Sequence, residues 1–169
     1  MAILPILRFP DPRLRRPCTP VTRLDDRLRQ LAADMLETMY AAPGRGLAGP
    51  QVGVMERIFV MDTTWKEGTP SPRVCLNPEI LTASDDLVTR TEGCLSIPGV
   101  NCPVARPAEI TLRWTDLSGA VLEEHLTGFA ATCAQHELDH LNGRLCIDLL
   151  DEPARVAASA ALAAMGRPA

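Results

Sequence analysis

The chain has 169 residues, of which 46% are hydrophobic, and this size is typical of one globular domain whose core is large enough to fold unaided. Its formal charge of -4 argues against the strongly basic surface of a nucleic-acid-binding protein. It has no apolar run of about 18 residues and no secretory signal pattern, so we expect a soluble, cytoplasmic protein that is neither exported nor anchored in a membrane.

The first predicted elements are a helix and a glycine-rich loop. Apolar residues at 24, 28, 31, 35 and 39 fall on one helix face, which predicts a helix over residues 25–42 with Thr22 or Asp25 as its N-cap. The stretch APGRGLAGPQVG follows at residues 42–53. Its glycines and prolines break both helix and strand periodicity, which predicts a loop that allows close backbone approach.

Strands are predicted in the middle of the chain. RIFVMD at residues 57–62 is typical of a buried strand, and RVCLNPEIL at 73–81 is typical of a second one, broken at Pro78. EITLRWTDL alternates, with Ile110, Leu112 and Trp114 on one side, and GAVLEEHLTG is its expected hairpin partner.

A second helix is predicted from GFAATCAQHELDHLNG, opening after Thr127 and Gly128 and closing at Asn142 and Gly143. The Ala-rich end of the chain is expected to form either a short surface helix or a frayed tail. Strands and helices in this order favour an α+β fold with antiparallel sheets.

The second helix carries a metal-binding pattern. His136 and His140 are four residues apart, so they are rotated by only about 40° and separated by about 6 Å along the axis. Both imidazoles can therefore lean toward one divalent metal ion, with Glu137 beside it as a general base. Two interpretations of Asp139 stay open: it fixes Arg106, or it is a solvated helix carboxylate.

Two cysteines compete as the third ligand. Cys146 follows His140 by six residues, a spacing similar to that of the third histidine in one class of zinc proteases, but it lies in the apolar stretch RLCIDLL. Cys94 lies in TEGCLSIPG, which we predict to be a small polar loop. A chain of this length without an export signal usually keeps its cysteines reduced. We therefore expect six reduced cysteines, available as core residues or metal ligands, at Cys18, Cys75, Cys94, Cys102, Cys133 and Cys146.

Three stretches resemble, in order and spacing, the signature motifs of the peptide deformylases. They are GRGLAGPQVGV at residues 44–54, EGCLSIPG at 92–99 and QHELDHLNG at 135–143. The resemblance runs from about residue 3 to residue 150. It implies one catalytic domain over residues 1–150, built from antiparallel β-sheets around a central metal-binding helix, and a short Ala-rich C-terminal helix or tail over 151–169.

The resemblance also implies the parts of the active site. A metal ion would be held, with water in the fourth position, by Cys94, His136 and His140. Glu137 would carry the proton, while the Gln51 side chain and the Leu95 backbone N–H would hold the developing oxyanion. One divalent ion is expected, with Fe²⁺ as the native metal and Zn²⁺, Ni²⁺ or Co²⁺ able to substitute.

The implied activity is removal of the N-terminal formyl group from formyl-methionyl nascent polypeptides in bacterial translation. The expected substrate-binding residues are Arg45, Gly46, Glu92, Gly93, Phe129, Thr132 and Cys133. The formylated nascent peptide is the expected partner, and a transient ribosome contact stays open; neither nucleic acid nor membrane is expected to bind. From residue 151 the chain has two acidic and two basic residues, so no basic docking helix is evident.

Four positions depart from the family pattern. The family usually has aliphatic residues where this chain has Arg45 and Thr132, Ala at Gly49 and, often, Arg at Asn101. Arg45 and Thr132 fall near the expected methionine pocket. We expect the Arg45 stem to line the pocket mouth while its guanidinium reaches water, and we expect weak discrimination of the substrate side chain.

Three alternatives to a typical deformylase remain: a divergent deformylase-like protein with altered specificity, a zinc peptidase and a non-catalytic binding protein. A zinc peptidase would need an open cleft on both sides of the scissile bond, whereas a formyl group needs only a closed slot on one side. A non-catalytic protein that binds peptide N-termini would keep the metal as a structural element. Glu137 and Gln51 argue against the last alternative, because a structural metal site needs neither.

Overall fold

The fold is described from a computed structural model covering residues 2–166. Its seven strands are β1 (Gly46–Ala48), β2 (Ile58–Met61), β3 (Arg73–Ala83), β4 (Leu87–Cys94), β5 (Ile97–Pro107), β6 (Glu109–Thr115) and β7 (Val121–Thr127). Its α-helices are α1 (Asp26–Ala41), α2 (Gly128–Leu141) and α3 (Glu152–Met165). The expected α+β class with antiparallel sheets is confirmed.

The helix α1 lies within the predicted range of residues 25–42. Asp25 is its N-cap, and the Asp25 carboxylate accepts a 3.0 Å hydrogen bond from the Leu28 backbone N–H. Met35 and Met39 are fully buried and pack in one cluster with Ile58 of β2. The apolar face seen in the sequence therefore attaches α1 to the main sheet.

The main sheet has five strands in the order β1-β2-β3-β6-β7, and all neighbouring pairs are antiparallel. The predicted hairpin of β6 and β7 is confirmed, with Thr115 opposite Val121. Ile110, Leu112 and Trp114 alternate inward as predicted. They supply the surface on which α2 packs.

The predicted break at Pro78 was wrong, because β3 continues through it. The pairing of β3 with β6 shifts register between Leu76 and Glu79, and Asn77 adopts a φ of 50°. A bulge at this point leaves the proline without a ladder hydrogen bond to donate, so the strand accommodates it.

The predicted loop at residues 42–53 was wrong in part, because it contains β1 and a 3₁₀ helix at Gly49–Val52. β1 is only three residues long, but its residues Leu47 and Ala48 are fully buried. It forms an edge of the main sheet next to β2. The first motif is thus a short edge strand followed by one helical turn.

The stretch around Cys94 was also predicted wrongly as a polar loop. It is the turn of a two-stranded hairpin, in which β4 ends at Cys94 and β5 begins at Ile97. Residues of β5 alternate inward at Val100, Cys102, Val104 and Arg106. Prolines and glycines within β5, together with an inward-facing arginine, obscure that alternation in the sequence.

The helix α2 lies between the main sheet and the β4–β5 hairpin. It begins at Gly128, one residue earlier than predicted, with Thr127 as its N-cap, and it ends at its C-cap Asn142 as predicted. Ten of its 14 residues are buried. Ala134 and Leu138 pack in one core cluster with Phe59 of β2. A helix enclosed in this way presents its polar side chains to the protein interior.

The helix α3 follows a 3₁₀ turn at Cys146–Leu149 and lies against β5. The expected alternative of a surface helix therefore describes the residues up to Met165, whereas residues 167–169 lie outside the described part. Among residues 2–166 no helix is long and apolar enough to cross a membrane.

Gly143 offers a test of how α2 is terminated. Its φ is 75°, and a Cβ built there would lie 2.5 Å from the Arg15 backbone oxygen. We expect Gly143→Ala to lower the free energy of unfolding by about 3 kcal/mol, from left-handed strain of about 1–2 kcal/mol and overpacking of about 1–3 kcal/mol.

The matched control for this change is Gly68→Ala. Gly68 has a φ of 83° but nothing within 4 Å of the added Cβ, so only the backbone strain of about 1–2 kcal/mol is expected. Chemical denaturation of both variants measures the difference. Equal losses would show that the contact with Arg15 does not matter.

Candidate metal centre and active site

Three potential metal donors meet at one point between the hairpin and α2. The ligand atoms of Cys94, His136 and His140 all lie within 4.8 Å of one another, and the Cys94 Sγ is 3.4 Å from His140 Nε2. The two imidazole rings lie edge to face with centroids 5.0 Å apart. One turn of helix thus supplies two donors, and the end of β4 supplies the third.

Cys146, the alternative third donor, is not part of this group. It begins the 3₁₀ turn after α2, is buried, and has its Sγ 3.1 Å from the Cys102 Sγ. The hairpin therefore presents a different cysteine to the histidines, one whose sequence separation from them exceeds 40 residues.

A buried ionic network holds the ring of His136. His136 Nδ1 lies 2.8 Å from Glu92 Oε1, and the Arg106 guanidinium donates to both Glu92 oxygens at 2.6 and 2.9 Å. Arg106 Nη1 also donates to Asp139 Oδ2 at 2.8 Å, so Asp139 does fix Arg106. These contacts leave Nε2 as the nitrogen that His136 offers to the donor group.

The network also determines that Glu92 and Arg106 are ionised. Burial would raise the pKa of Glu92, but hydrogen bonds from Arg106 and His136 hold it below its ordinary value. Burial would lower the pKa of Arg106, yet Glu92 and Asp139 raise it. The pair is therefore ionised, and an ionised carboxylate is the partner that orients a metal-binding imidazole.

Glu137 lies beside the donor group without a protein partner for one of its oxygens. Its Oε2 is buried, and no residue in the described part of the chain bonds to it. Burial raises the pKa of Glu137 to about 7. A carboxyl group that is nearly balanced between its two protonation states at neutral pH can both accept and return a proton.

The donor set suits a divalent transition metal. One thiolate and two imidazoles are ligands for iron or zinc, and three protein ligands leave one position open, as catalytic sites require. The unpartnered, buried Glu137 oxygen beside the donors matches a group that acts on a ligand of that open position. The residues present therefore fit a resident metal.

The Gln51 side chain also lies close to Cys94, and it is only 1% exposed. Its Oε1 accepts from the Ala48 backbone N–H at 2.9 Å, while its Nε2 lies 3.1 Å from Ser96 Oγ and 3.7 Å from Cys94 Sγ. The amide is thus oriented with its NH₂ group toward the donor cluster. Leu95 follows Cys94 directly in the hairpin turn.

A cleft of about 790 Å³ opens onto this centre. All seven expected substrate-binding residues line it: Arg45, Gly46, Glu92, Gly93, Phe129, Thr132 and Cys133. A Cβ at Gly46 would lie 2.5 Å from Glu137 Oε1, so only glycine lets β1 lie against that carboxylate. Cys133 contacts β1 as well, with its Sγ 3.6 Å from the Arg45 backbone oxygen.

Two of these seven residues have contacts that the sequence did not indicate. Glu92 is 6% exposed and both its oxygens are bonded within the protein, so its polar group faces inward and supports His136. The Arg45 guanidinium does not simply reach water. It forms a 2.8 Å ion pair with Glu67, donates to the Thr63 carbonyl and lies over the Phe129 ring.

The sequence also did not indicate two further supporting residues, because each of them is distant in sequence from the residue it contacts. Ser96 bonds to the Gln51 amide, and Trp65 Nε1 donates to the Gly44 carbonyl at 2.9 Å. The inward alternation of β5 is the only sequence signal that could have placed Arg106 near Glu92.

This geometry defines the class of metal-dependent hydrolases that carry a His-Glu-x-x-His helix. Comparisons narrow the class: the model of the polypeptide deformylase family matches residues 3–156. The chain belongs to this family, as was expected from its three motifs.

Individual relatives agree with the assignment. A peptide deformylase of Afipia carboxidovorans is 53% identical over 152 residues, covering 90% of this chain and 89% of the relative. One of Rhizorhabdus wittichii is 54% identical over 155 residues, covering 89% and 88%. The crystal structure of a Synechococcus elongatus peptide deformylase in complex with actinonin has a TM-score of 0.90 at 40% identity, covering 98% of this chain and 89% of that one.

The contact between Glu92 and His136 can be tested by metal affinity. We expect Glu92→Gln to weaken metal binding about 10- to 100-fold, because the imidazole loses the charged partner that orients it. Competition between the protein and a chelator for Co²⁺ measures the change.

A second Glu–His pair of this chain serves as the control. Glu109 Oε2 lies 3.1 Å from His125 Nε2, but both side chains are exposed on the surface. Glu109→Gln should leave Co²⁺ affinity unchanged. Similar losses in the two variants would contradict a specific role for Glu92.

Proposed function

We propose that this protein removes the formyl group from the N-terminal formyl-methionine of nascent polypeptides, using a metal held by Cys94, His136 and His140. The observation that carries the proposal is the placement of Glu137, buried beside these three donors with one oxygen free of protein partners. Membership of the polypeptide deformylase family supports the same reaction.

We propose Fe²⁺ as the native metal, with Zn²⁺, Ni²⁺ or Co²⁺ able to replace it. A thiolate donates more charge than a third imidazole would, and mixed sulfur and nitrogen donors accept all four ions. When bound, such an ion polarises a carbonyl oxygen and lowers the pKa of water enough to provide a nucleophile at neutral pH.

Glu137 is the proton carrier in this scheme. Burial that raises its pKa to about 7 matches the requirement for a group that takes a proton from water and later gives it to the leaving amine. Gly46 permits close approach of the β1 backbone, so the substrate peptide beside β1 would lie within reach of this carboxylate.

Gln51 and Leu95 would stabilise the negative charge that develops on the formyl oxygen. The bond from the Ala48 N–H to Gln51 Oε1 prevents the amide from turning over, so its NH₂ group stays directed toward the donor cluster, where the formyl oxygen would lie. The Leu95 backbone N–H would be the second donor. Donors fixed before the reaction are effective because they need not reorganise as the charge appears.

The substrate is a nascent chain, so we place the activity in the bacterial cytoplasm, where formylated chains are made. Any ribosome contact would be transient. The helix α3 carries one acidic and one basic residue, Glu152 and Arg155, and so lacks the charge to hold RNA.

Glu137→Gln tests the proposed reaction. We expect the variant to retain its metal, because Glu137 is not a ligand, and to lose about 100- to 10,000-fold in turnover, because the amide cannot accept a proton. Formate release from formyl-Met-Ala by anaerobically purified, Ni²⁺-loaded protein is the assay, with metal content measured on the same samples.

Four outcomes separate the alternatives. Turnover within a few-fold of the parent would exclude Glu137 as the proton carrier, and loss of metal would mean that it is a ligand. Cleavage of an unformylated peptide would instead indicate a peptidase. Binding of formyl-Met-Ala without formate release from the parent would indicate a non-catalytic binder.

Arg45 and Thr132 are proposed to weaken the preference for methionine. Thr132 puts a hydroxyl group into the cleft, and the Arg45 guanidinium covers Phe129. We expect Arg45→Ile with Thr132→Ile to raise the kcat/KM ratio of formyl-Met-Ala over formyl-Ala-Ala by about 10- to 200-fold at most.

The control is Arg73→Ile, which removes a comparable Arg–Glu ion pair with Glu124 on the main sheet. It should leave the substrate ratio unchanged. An unchanged ratio in the double variant as well would remove Arg45 and Thr132 from the specificity argument.

A further inference from the structure

Two cysteines that the proposed reaction does not use lie in contact. Cys102 is in β5 and Cys146 begins the 3₁₀ turn after α2, and their sulfur atoms are 3.1 Å apart although 44 residues separate them in sequence. Both are buried, at 0% and 2% exposure. At this distance no other side chain separates the two sulfurs, and the Cys146 S–H donates to the Cys102 sulfur.

Apolar side chains surround the two cysteines, and the helix α3 covers this cluster with few buried side chains. The pair belongs to a core cluster with Val104, Leu145 and Ala158. Ala158 is the only fully buried residue of α3, and Ala154, Leu162 and Met165 pack against the cluster while staying partly exposed. A cover held by so few buried side chains can open locally and admit a small oxidant.

We propose that Cys102 and Cys146 are a redox-active pair, which a peroxide converts into a disulfide that clamps the β4–β5 hairpin to the segment following α2. A disulfide requires a sulfur–sulfur distance of about 2.0 Å, so the two sulfurs need to approach by only about 1 Å. In a reducing cytoplasm the thiols persist, and the bond forms under oxidative conditions.

The chemistry balances with hydrogen peroxide as the oxidant. The Cys102 sulfur, which accepts the S–H of Cys146, attacks one peroxide oxygen. The O–O bond breaks, giving a sulfenic acid on Cys102 and one water. The Cys146 sulfur then displaces the hydroxyl group, which leaves as a second water with the thiol proton. Two thiols are oxidised by two electrons and one peroxide is reduced.

The clamp would act on the segments that hold the proposed metal ligands. Cys102 is paired in register with Glu92, which contacts His136, and Cys146 follows His140 by six residues. The loop closed by the bond contains both histidines. We infer that the disulfide slows loss of the metal, an effect that rests on the proposed function, whereas formation of the bond does not.

Mass spectrometry of the peroxide-treated, Ni²⁺-loaded protein tests the bond. The intact protein should lose two hydrogens, proteolysis should give linked fragments containing residues 102 and 146, and a thiol reductant should reverse both. Cys102→Ala and Cys146→Ala should not form the link, while Cys18→Ala, which removes a buried cysteine elsewhere, should form it. Oxygen added to Cys102 without a link, or a link to Cys94, would overturn the proposal.

Two measurements on the oxidised parent test the clamp. Its melting temperature should rise by up to about 10 °C over the reduced protein, because the link restricts the unfolded chain. Transfer of Ni²⁺ to an excess of chelator should be several-fold slower. Equal transfer rates would overturn the clamp while leaving deformylation unaffected, and deformylation could fail while the link still forms. If an alanine variant does not fold, the corresponding serine variant replaces it.

Discussion

The structure depends most on the buried contact between Glu92 and Arg106. Two opposite charges are removed from water here, which costs several kcal/mol per ion unless further hydrogen bonds compensate. Asp139 and His136 of α2 supply those bonds. The hairpin can therefore bury its charges only when α2 is in place, and α2 can bury two histidines only when the hairpin is in place. The donor group is a consequence of this mutual requirement.

The sequence predicts those parts of the fold and site that arise from local periodicity. His136, Glu137 and His140 are on one helix, so their spacing is sufficient to place them together. The β6–β7 hairpin follows from alternation and a turn. The β4–β5 hairpin could not be predicted in this way, because its alternating positions include an arginine and are interrupted by prolines. Its burial depends on partners from distant segments, which are α2, the 3₁₀ turn after it and α3.

Contacts at the mouth of the cleft also could not be predicted from sequence patterns. The ion pair of Arg45 with Glu67 joins residues 22 positions apart, with β1, a 3₁₀ turn and β2 between them. Local propensities carry no information about such a pair, because neither residue needs it to adopt its backbone conformation. The sequence could indicate that Arg45 is unusual, but only the positions of Glu67 and Phe129 explain why its guanidinium is held there.

The residues that position the metal donors differ from the residues that line the mouth of the cleft. Residues that position the donors are buried and linked to each other, and the C-terminal end of α2 is held by Arg57, which donates to the Leu141 carbonyl and to Asn142. Replacing Glu92 or Arg106 leaves a buried polar group unpaired, with a cost of about 1–3 kcal/mol. Phe129 and the Arg45–Glu67 pair are partly exposed, so their replacement costs little stability. Substrate preference can therefore change at the cleft mouth without disturbing the metal centre.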